Sequence, residues 1–296
     1  MKRLFKLFIL SVLTLAFAIT AFACGGGDNA DGEKGIICKK LTGDEFYTVY
    51  DYVAEDDVTS LDIAKAVKEK YGDDAVVGRI NVNSFAGDES LKELIVPSSV
   101  VEIRAGAFQK MRSLEKITLP FVGRTAVADS FMGETGEGDK SVDSERLFAY
   151  VFGTEEYTHG SKITTSYNGT ETTDYYIPYS LYEVTIAPKD AGYKIPAYAF
   201  NGVNQITTIN LTENVKEIGI NAFENAKSLY QINLPASIDT IRESAFNGAI
   251  NLTKLEIAER TDKIKAYENA FKGCEKLNES VQGYFDCDLD KVFDVK

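Results

Sequence analysis

Apolar residues recur along this chain with a fixed long period. Phe85, Phe108, Phe200, Phe223, Phe246 and Phe271 are separated by 23, 92, 23, 23 and 25 residues, and 92 is four times 23. Six positions after each Phe stands Leu91, Leu114, Ile206, Leu229, Leu252 or Leu277. In all but the last unit two further apolar residues follow in alternation: Leu94 and Val96, Ile117 and Leu119, Ile209 and Leu211, Ile232 and Leu234, Leu255 and Ile257. Ile80, Ile103, Ile195, Ile218 and Ile241 precede the Phe by five residues, and Pro97, Pro120 and Pro235 close three of the alternating runs. The alternating piece predicts a short strand, the Val-x-x-Ile piece a second strand or extended turn, and the Phe segment a tight loop. One such unit cannot fold alone. Ordering its backbone costs about 1–2 kcal/mol per residue. Its few buried apolar side chains return only about 1.5–3 kcal/mol each. Stacked units share their apolar surfaces, so the pattern predicts a solenoid.

Two segments depart from the period. Residues 36–75 read as an N-terminal cap. Phe46–Val53 is aromatic and β-branched and predicts a strand. Asp62–Tyr71 carries a helical apolar stripe, with Thr59 or Ser60 as N-cap and Gly72 as stop. Residues 121–180 form a non-repeat island. Met132–Glu145 is rich in Gly, Asp and Glu and predicts a loop, and Leu147–Gly153 is compact and apolar. Phe148, Tyr150 and Phe152 are read as packing the island onto the solenoid. Tyr157 and Tyr167 are expected at the surface. From Leu181 the repeat resumes, with Val184 and Ile186 supplying another rung.

Leu114-Glu-Lys-Ile-Thr-Leu-Pro120 and Val215-Lys-Glu-Ile-Gly-Ile-Asn-Ala-Phe223 resemble the BspA-like subclass of leucine-rich repeat surface proteins. The resemblance covers about residues 76–120 and 181–277. Islands with a Phe-Gly segment and a later Tyr-Ile-Pro-x-Ser-Leu, here Tyr176–Leu181, occur in the same subclass. The expected fold class is therefore an α+β repeat: a leucine-rich-repeat solenoid over 76–296, behind the 36–75 cap. The resemblance implies a binding function, in adhesion or recognition of a protein or glycan ligand. The outward strand positions Lys116, Thr118, Glu183, Thr185, Thr208, Asn210, Gln231, Asn233, Lys254 and Glu256 form the candidate binding surface. Tyr157 and Tyr167 are added from the island.

The first 35 residues add location. Lys2, Arg3 and Lys6 precede an apolar run from Leu7 to Thr20, and Ala21-Phe-Ala23 offers a signal-peptidase cleavage site, so 1–23 reads as an export signal. Cys24 follows at once, and a Gly-rich polar tether extends to residue 35. This arrangement resembles a bacterial lipoprotein signal, which implies a lipidated Cys24 and a protein held on the extracytoplasmic face of the cell membrane. Ordinary cleavage at the same bond would leave a secreted chain with a free thiol. Cys274 and Cys287 have two readings: a disulfide that export permits, or a small buried residue in a repeat slot at 274.

Composition narrows the chemistry. With 32 Lys+Arg against 45 Asp+Glu the net charge is −13, the wrong sign for nucleic acid. The single His is His159, followed by Gly160 and Ser161. Adjacent residues on one loop do not build a Ser–His pair, and no Gly-x-Ser-x-Gly elbow occurs. Asp286, Asp288 and Asp290 copy the first ligand positions of a calcium loop, but Lys291 stands where Gly is required and the twelfth-position acid is absent. The expectation is a monomeric, non-enzymatic protein with no cofactor or metal. A cell-envelope scaffold without a host ligand, or an extracellular hydrolase using the 121–180 island, are the alternatives.

Overall fold

The computed structural model describes residues 33–126, 144–167, 172–277, 279–288 and 291–292. The export signal, Cys24 and most of the acidic loop lie outside the described residues. The strands, in chain order, are β1 (Gly35–Lys39), β2 (Tyr47–Val53), β3 (Ser60–Asp62), β4 (Val77–Ile80), β5 (Glu93–Ile95), β6 (Glu102–Ile103), β7 (Lys116–Leu119), β8 (Gly160–Ser166) and β9 (Thr172–Pro178). They continue with β10 (Glu183–Ile186), β11 (Tyr193–Ile195), β12 (Thr208–Leu211), β13 (Val215–Ile218), β14 (Gln231–Leu234), β15 (Thr240–Ile241), β16 (Lys254–Ile257), β17 (Ile264–Ala266) and β18 (Phe285–Asp286). An α-helix, α1 (Ile63–Tyr71), follows β3.

Seven strands form one long sheet in the order β16-β14-β12-β10-β7-β5-β3. Every pairing in it is parallel, as a solenoid requires of successive turns. On β7, β10, β12 and β14 the residues alternate half-buried and buried, so Ile117, Val184, Ile209 and Ile232 point inward with Leu119, Ile186, Leu211 and Leu234. The second strands of each rung build two shorter sheets, β1-β2-β4-β6 and β11-β13-β15-β17-β18.

Between the sheets the ring of each rung stacks on the next. Phe200, Phe223, Phe246 and Phe271 follow one another at 4.9, 5.1 and 5.2 Å between centroids, with interplanar angles of 12° or less. The ladder extends back through Phe108 and Phe85 to Tyr52, which lies 5.6 Å from Phe85. Parallel pairing of β2 with β4 and of β3 with β5 carries both ladders into the segment before residue 76.

Each ring sits in a turn with two left-handed residues. Two positions before the Phe these are Asn83, Gly106, Tyr198, Asn221, Ser244 and Asn269. Two positions after it they are Gly87, Lys110, Gly202, Asn225, Gly248 and Gly273. Glycine and asparagine tolerate this backbone, whereas Tyr198, Ser244 and Lys110 adopt it at a cost of about 1–2 kcal/mol each. The turn's hydrogen bonds run from rung to rung: the Phe223 N–H donates to Ala245 O at 2.7 Å, and the Phe246 N–H to Ala270 O at 2.7 Å.

The helix begins one residue later than the sequence reading implies. Ser60 belongs to β3, so the cap falls to Asp62, whose side chain accepts from the Lys65 N–H at 3.1 Å. Gly72 ends the helix, with φ of 105° and its N–H donating to Lys68 O.

The island does not break the long sheet. β7 pairs directly with β10, Lys116 opposite Glu183 and Thr118 opposite Thr185. The 92-residue spacing therefore contains one stretched rung. Phe148 and Phe152, both buried, complete the ring ladder: Phe152 lies 6.2 Å from Phe108, and Phe148 lies 4.7 Å from Phe200. The Phe108 N–H donates to Val151 O, and the Phe148 N–H to Ala199 O. The antiparallel hairpin β8–β9 leaves this rung, and residues 127–143 lie outside the described residues. Arg124 ties together the described residues on either side of that segment. It donates to Glu102 Oε1 at 2.9 Å and to Glu145 Oε1 at 2.9 Å, and its N–H donates to Glu145 O at 2.7 Å. The buried Tyr193 hydroxyl accepts from the Val122 N–H at 2.9 Å beside it. We expect Arg124→Ala to leave the long sheet folded but open the base of this loop. Limited proteolysis should then cut between residues 121 and 147 several times faster than in the parent chain; an unchanged cleavage pattern would show that the ion pairs do not hold the loop.

Candidate functional site

The ten outward strand residues fall into two files across the long sheet. Register places Lys116, Glu183, Thr208, Gln231 and Lys254 in one file. Thr118, Thr185, Asn210, Asn233 and Glu256 form the second. All are half-buried except Lys254 and Glu256 on the edge strand, which are exposed. Period-2 alternation on parallel strands forces this arrangement, because each inward Ile or Val leaves its neighbours on the outer face.

The files are linked by hydrogen bonds that fix side-chain orientation. Gln231 Nε2 donates to Asn233 Oδ1 at 3.2 Å, and Asn233 Nδ2 to Asn210 Oδ1 at 2.6 Å. Asn210 Nδ2 donates to Glu183 Oε1 at 3.0 Å, and Lys116 Nζ meets Glu183 Oε2 at 3.1 Å. The hydrogen bond to Glu183 holds the Lys116 ammonium above its usual pKa. The chain of amides thus ends on a carboxylate whose charge Lys116 matches.

A third file, not foreseen from the sequence, runs alongside. It holds the residues just before each strand: Glu115, Tyr182, Thr207, Tyr230 and Thr253. They are joined by backbone bonds from the N–H of Tyr182 to Glu115 O, Thr207 to Tyr182 O, Tyr230 to Thr207 O and Thr253 to Tyr230 O. Tyr182 and Tyr230 are exposed, at 38 % and 44 %. Lys116 Nζ lies 5.8 Å from the Tyr182 ring centroid and Lys254 Nζ 5.7 Å from that of Tyr230.

The two island tyrosines do not join this surface. Tyr167 is 7 % exposed and lies within the core, contrary to the expected surface position, because the end of β8 folds its ring inward. Tyr157 is half-buried: its ring packs over Gly160, where a Cβ would come within 2.6 Å of it, and its hydroxyl is shut off from solvent. Burial pushes the Tyr157 phenol well above its ordinary pKa.

His159 is exposed. Among the described residues no group of three or more His, Cys, Asp or Glu is placed to hold a metal ion, and no helix is long and apolar enough to cross a membrane. Cys38, Cys274 and Cys287 are free thiols. Burial pushes Cys38 and Cys274 up to about 12, and Cys274 occupies its rung with its thiol donating to Phe246 O at 3.2 Å.

No curated protein matches the chain. Among solved structures it is similar to a leucine-rich repeat protein of T. pallidum, with 15 % identity over 84 % of this chain and 90 % of that one, at a TM-score of 0.35. A leucine-rich repeat protein of Bacteroides ovatus shares 17 % identity over 86 % of this chain and 97 % of that one, at a TM-score of 0.26. A leucine rich cell surface protein of Faecalibacterium prausnitzii shares 14 % over 84 % and 86 %, at a TM-score of 0.31. The family model for the BspA type leucine rich repeat region matches residues 75–134 and 176–282 in six copies, and between those two stretches it skips the heart of the island. With the parallel ladders, the ring stack and that match in agreement, the chain belongs to the BspA type leucine-rich repeat family.

Proposed function

We propose that this protein is a surface-anchored, non-enzymatic binding protein that takes a protein or glycan ligand on the outward face of its long sheet. The observation that carries the reading is the pair of polar files on five consecutive parallel strands, β7, β10, β12, β14 and β16. Their amides are already oriented by their neighbours, so a ligand meets a rigid pattern of donors and acceptors. The net charge of −13 keeps nucleic acid away. An array of glycans and matrix proteins probed with the full chain tests the reading. The expected result is capture of a discrete ligand that is lost on placing Arg at Thr208 and Gln231; capture indifferent to those changes would refute the sheet as the site.

Anchoring is part of the same proposal. Cys24 after an export signal supplies the thiol for a diacylglyceryl group, and two or three acyl chains at about 0.8 kcal/mol per buried CH₂ hold a protein stably on a membrane. Cys24→Ser should move the protein from the membrane fraction to the medium. A substituted protein that still sediments with membranes contradicts the lipid anchor.

A further inference from the structure

Tyr182 and Tyr230 are two rungs apart, with Thr207 between them. Rungs joined by backbone hydrogen bonds are about 4.8 Å apart, so the two rings are set about 10 Å apart along the sheet. Each ring has a lysine ammonium over one face, that of Lys116 from the rung before Tyr182 and that of Lys254 from the rung after Tyr230, which leaves the opposite face of each ring for a ligand. Thr207, Thr208, Asn210, Gln231 and Asn233 form the floor between and beside them, all half-buried, with the Thr207 hydroxyl donating to Tyr182 O and the three amides bonded to one another or to Glu183.

We infer that Tyr182 and Tyr230 are a pair of stacking platforms for a neutral, extended β-1,4-linked glycan lying across the rungs. The inference rests on the sheet-face reading above and specifies its ligand. In an extended β-1,4-linked chain alternate sugars present the same face, and the two-rung distance corresponds to that two-sugar repeat. Sugars i and i+2 then lay their C–H faces on the two rings, while the hydroxyls of sugar i+1 face Thr207, Thr208 and the amides. Charge points the same way. Lys116 matches the carboxylate of Glu183 on the Tyr182 strand, so the stretch between the rings carries no net charge, and the acidic chain repels a polyanion. A protein partner would require a desolvated apolar pocket at the centre of its footprint. The floor here is threonine and amide, with apolar surface confined to the two rings.

Calorimetric titration of the full chain with cellohexaose, cellobiose and the β-1,3-linked laminarihexaose tests the assignment. Cellohexaose should bind, cellobiose far more weakly because it cannot reach both rings, and laminarihexaose weakly because its chain curves away. Tyr182→Ala and Tyr230→Ala should each weaken cellohexaose about tenfold, the scale of one lost aromatic contact. Tyr182→Phe and Tyr230→Phe should retain affinity, since the ring carries the contact. Both rings are exposed, so the alanine variants should keep the parent thermal midpoint. Absence of cellohexaose binding, or equal binding by the double alanine variant, overturns the assignment. If the hexasaccharide fails while Arg at Thr208 and Gln231 still abolishes capture of an array ligand, only the glycan assignment falls. If those changes leave capture intact, the sheet-face reading falls with it.

Discussion

Phe223→Ala should lower the unfolding free energy by about 3–5 kcal/mol, the cost of emptying a fully packed aromatic site. Phe223 is 1 % exposed and lies between Phe200 at 4.9 Å and Phe246 at 5.1 Å, stacked nearly parallel to the latter. Its own N–H and the Ala222 carbonyl hold the turn to the rungs on either side. Those backbone bonds prevent the turn from collapsing into the space, so the cavity persists and both neighbouring rings lose a packing face. In a solenoid each rung is stabilised by its two neighbours, so damage to one central rung is felt at two interfaces. Denaturant titration followed by circular dichroism measures the change. A loss below 1 kcal/mol would show that the ring ladder is not a principal source of stability.

Phe148→Ala should be as damaging, about 3–5 kcal/mol by the same mechanism, although it lies in the segment where the sequence period vanishes. Phe148 is fully buried, stacked at 4.7 Å on Phe200 and 5.2 Å from Phe152. Among the described residues it is the one ring between Phe152 and Phe200 in the ladder, so its removal disconnects the rings before the island from those after it. The long sheet still joins the two halves through β7 and β10. The expected outcome is therefore a broadened unfolding transition as well as a lower midpoint, since cooperativity then depends on one sheet rather than on sheet and ladder together. A sharp transition at the parent midpoint would mean that the island only decorates the solenoid.

These two rings mark the reach and the limit of sequence reading. Phe223 is legible because its rung has the standard length, so its slot repeats at ±23 residues and every inward and outward strand position follows by alternation. Phe148 belongs to a rung lengthened by residues 127–143 and by the β8–β9 hairpin, each insertion long enough to erase the period, and only its apolar surroundings betray it. Tyr52 escaped notice as the first ring of the ladder because it is not Phe and β3 after it spans only three residues. The left-handed turn positions were present as Gly87, Gly202, Gly248 and Gly273, each two residues after its Phe, a signal masked by Lys110 and Asn225 in the same slot. The polar files of the candidate site followed from strand alternation. Tyr182 and Tyr230 did not, because they precede the strands proper; the parallel ladder runs one residue further than the alternating pattern and lifts them into a file of their own. Tyr167 was misplaced because a tyrosine among polar neighbours carries no sequence sign of the hairpin that turns it inward.

The island and the long sheet offer separate places for recognition, and one comparison decides between them. Glu145 is part of the rung through Arg124, so a loop deletion that spares the fold must end at residue 143. Replacing residues 127–143 by a short Gly-Ser linker should leave the thermal midpoint within a few degrees, since each halving of a loop changes its closure entropy by only about 0.6 kcal/mol. The decisive measurement is ligand affinity, by calorimetry or surface capture, in that loop-replaced chain and in a chain with Thr208→Arg and Gln231→Arg, using the ligand found on the array. The account predicts parent affinity in the loop-replaced chain and loss of binding in the arginine variant. Binding retained by the arginine variant and lost with the loop would place recognition on the island and contradict the central claim.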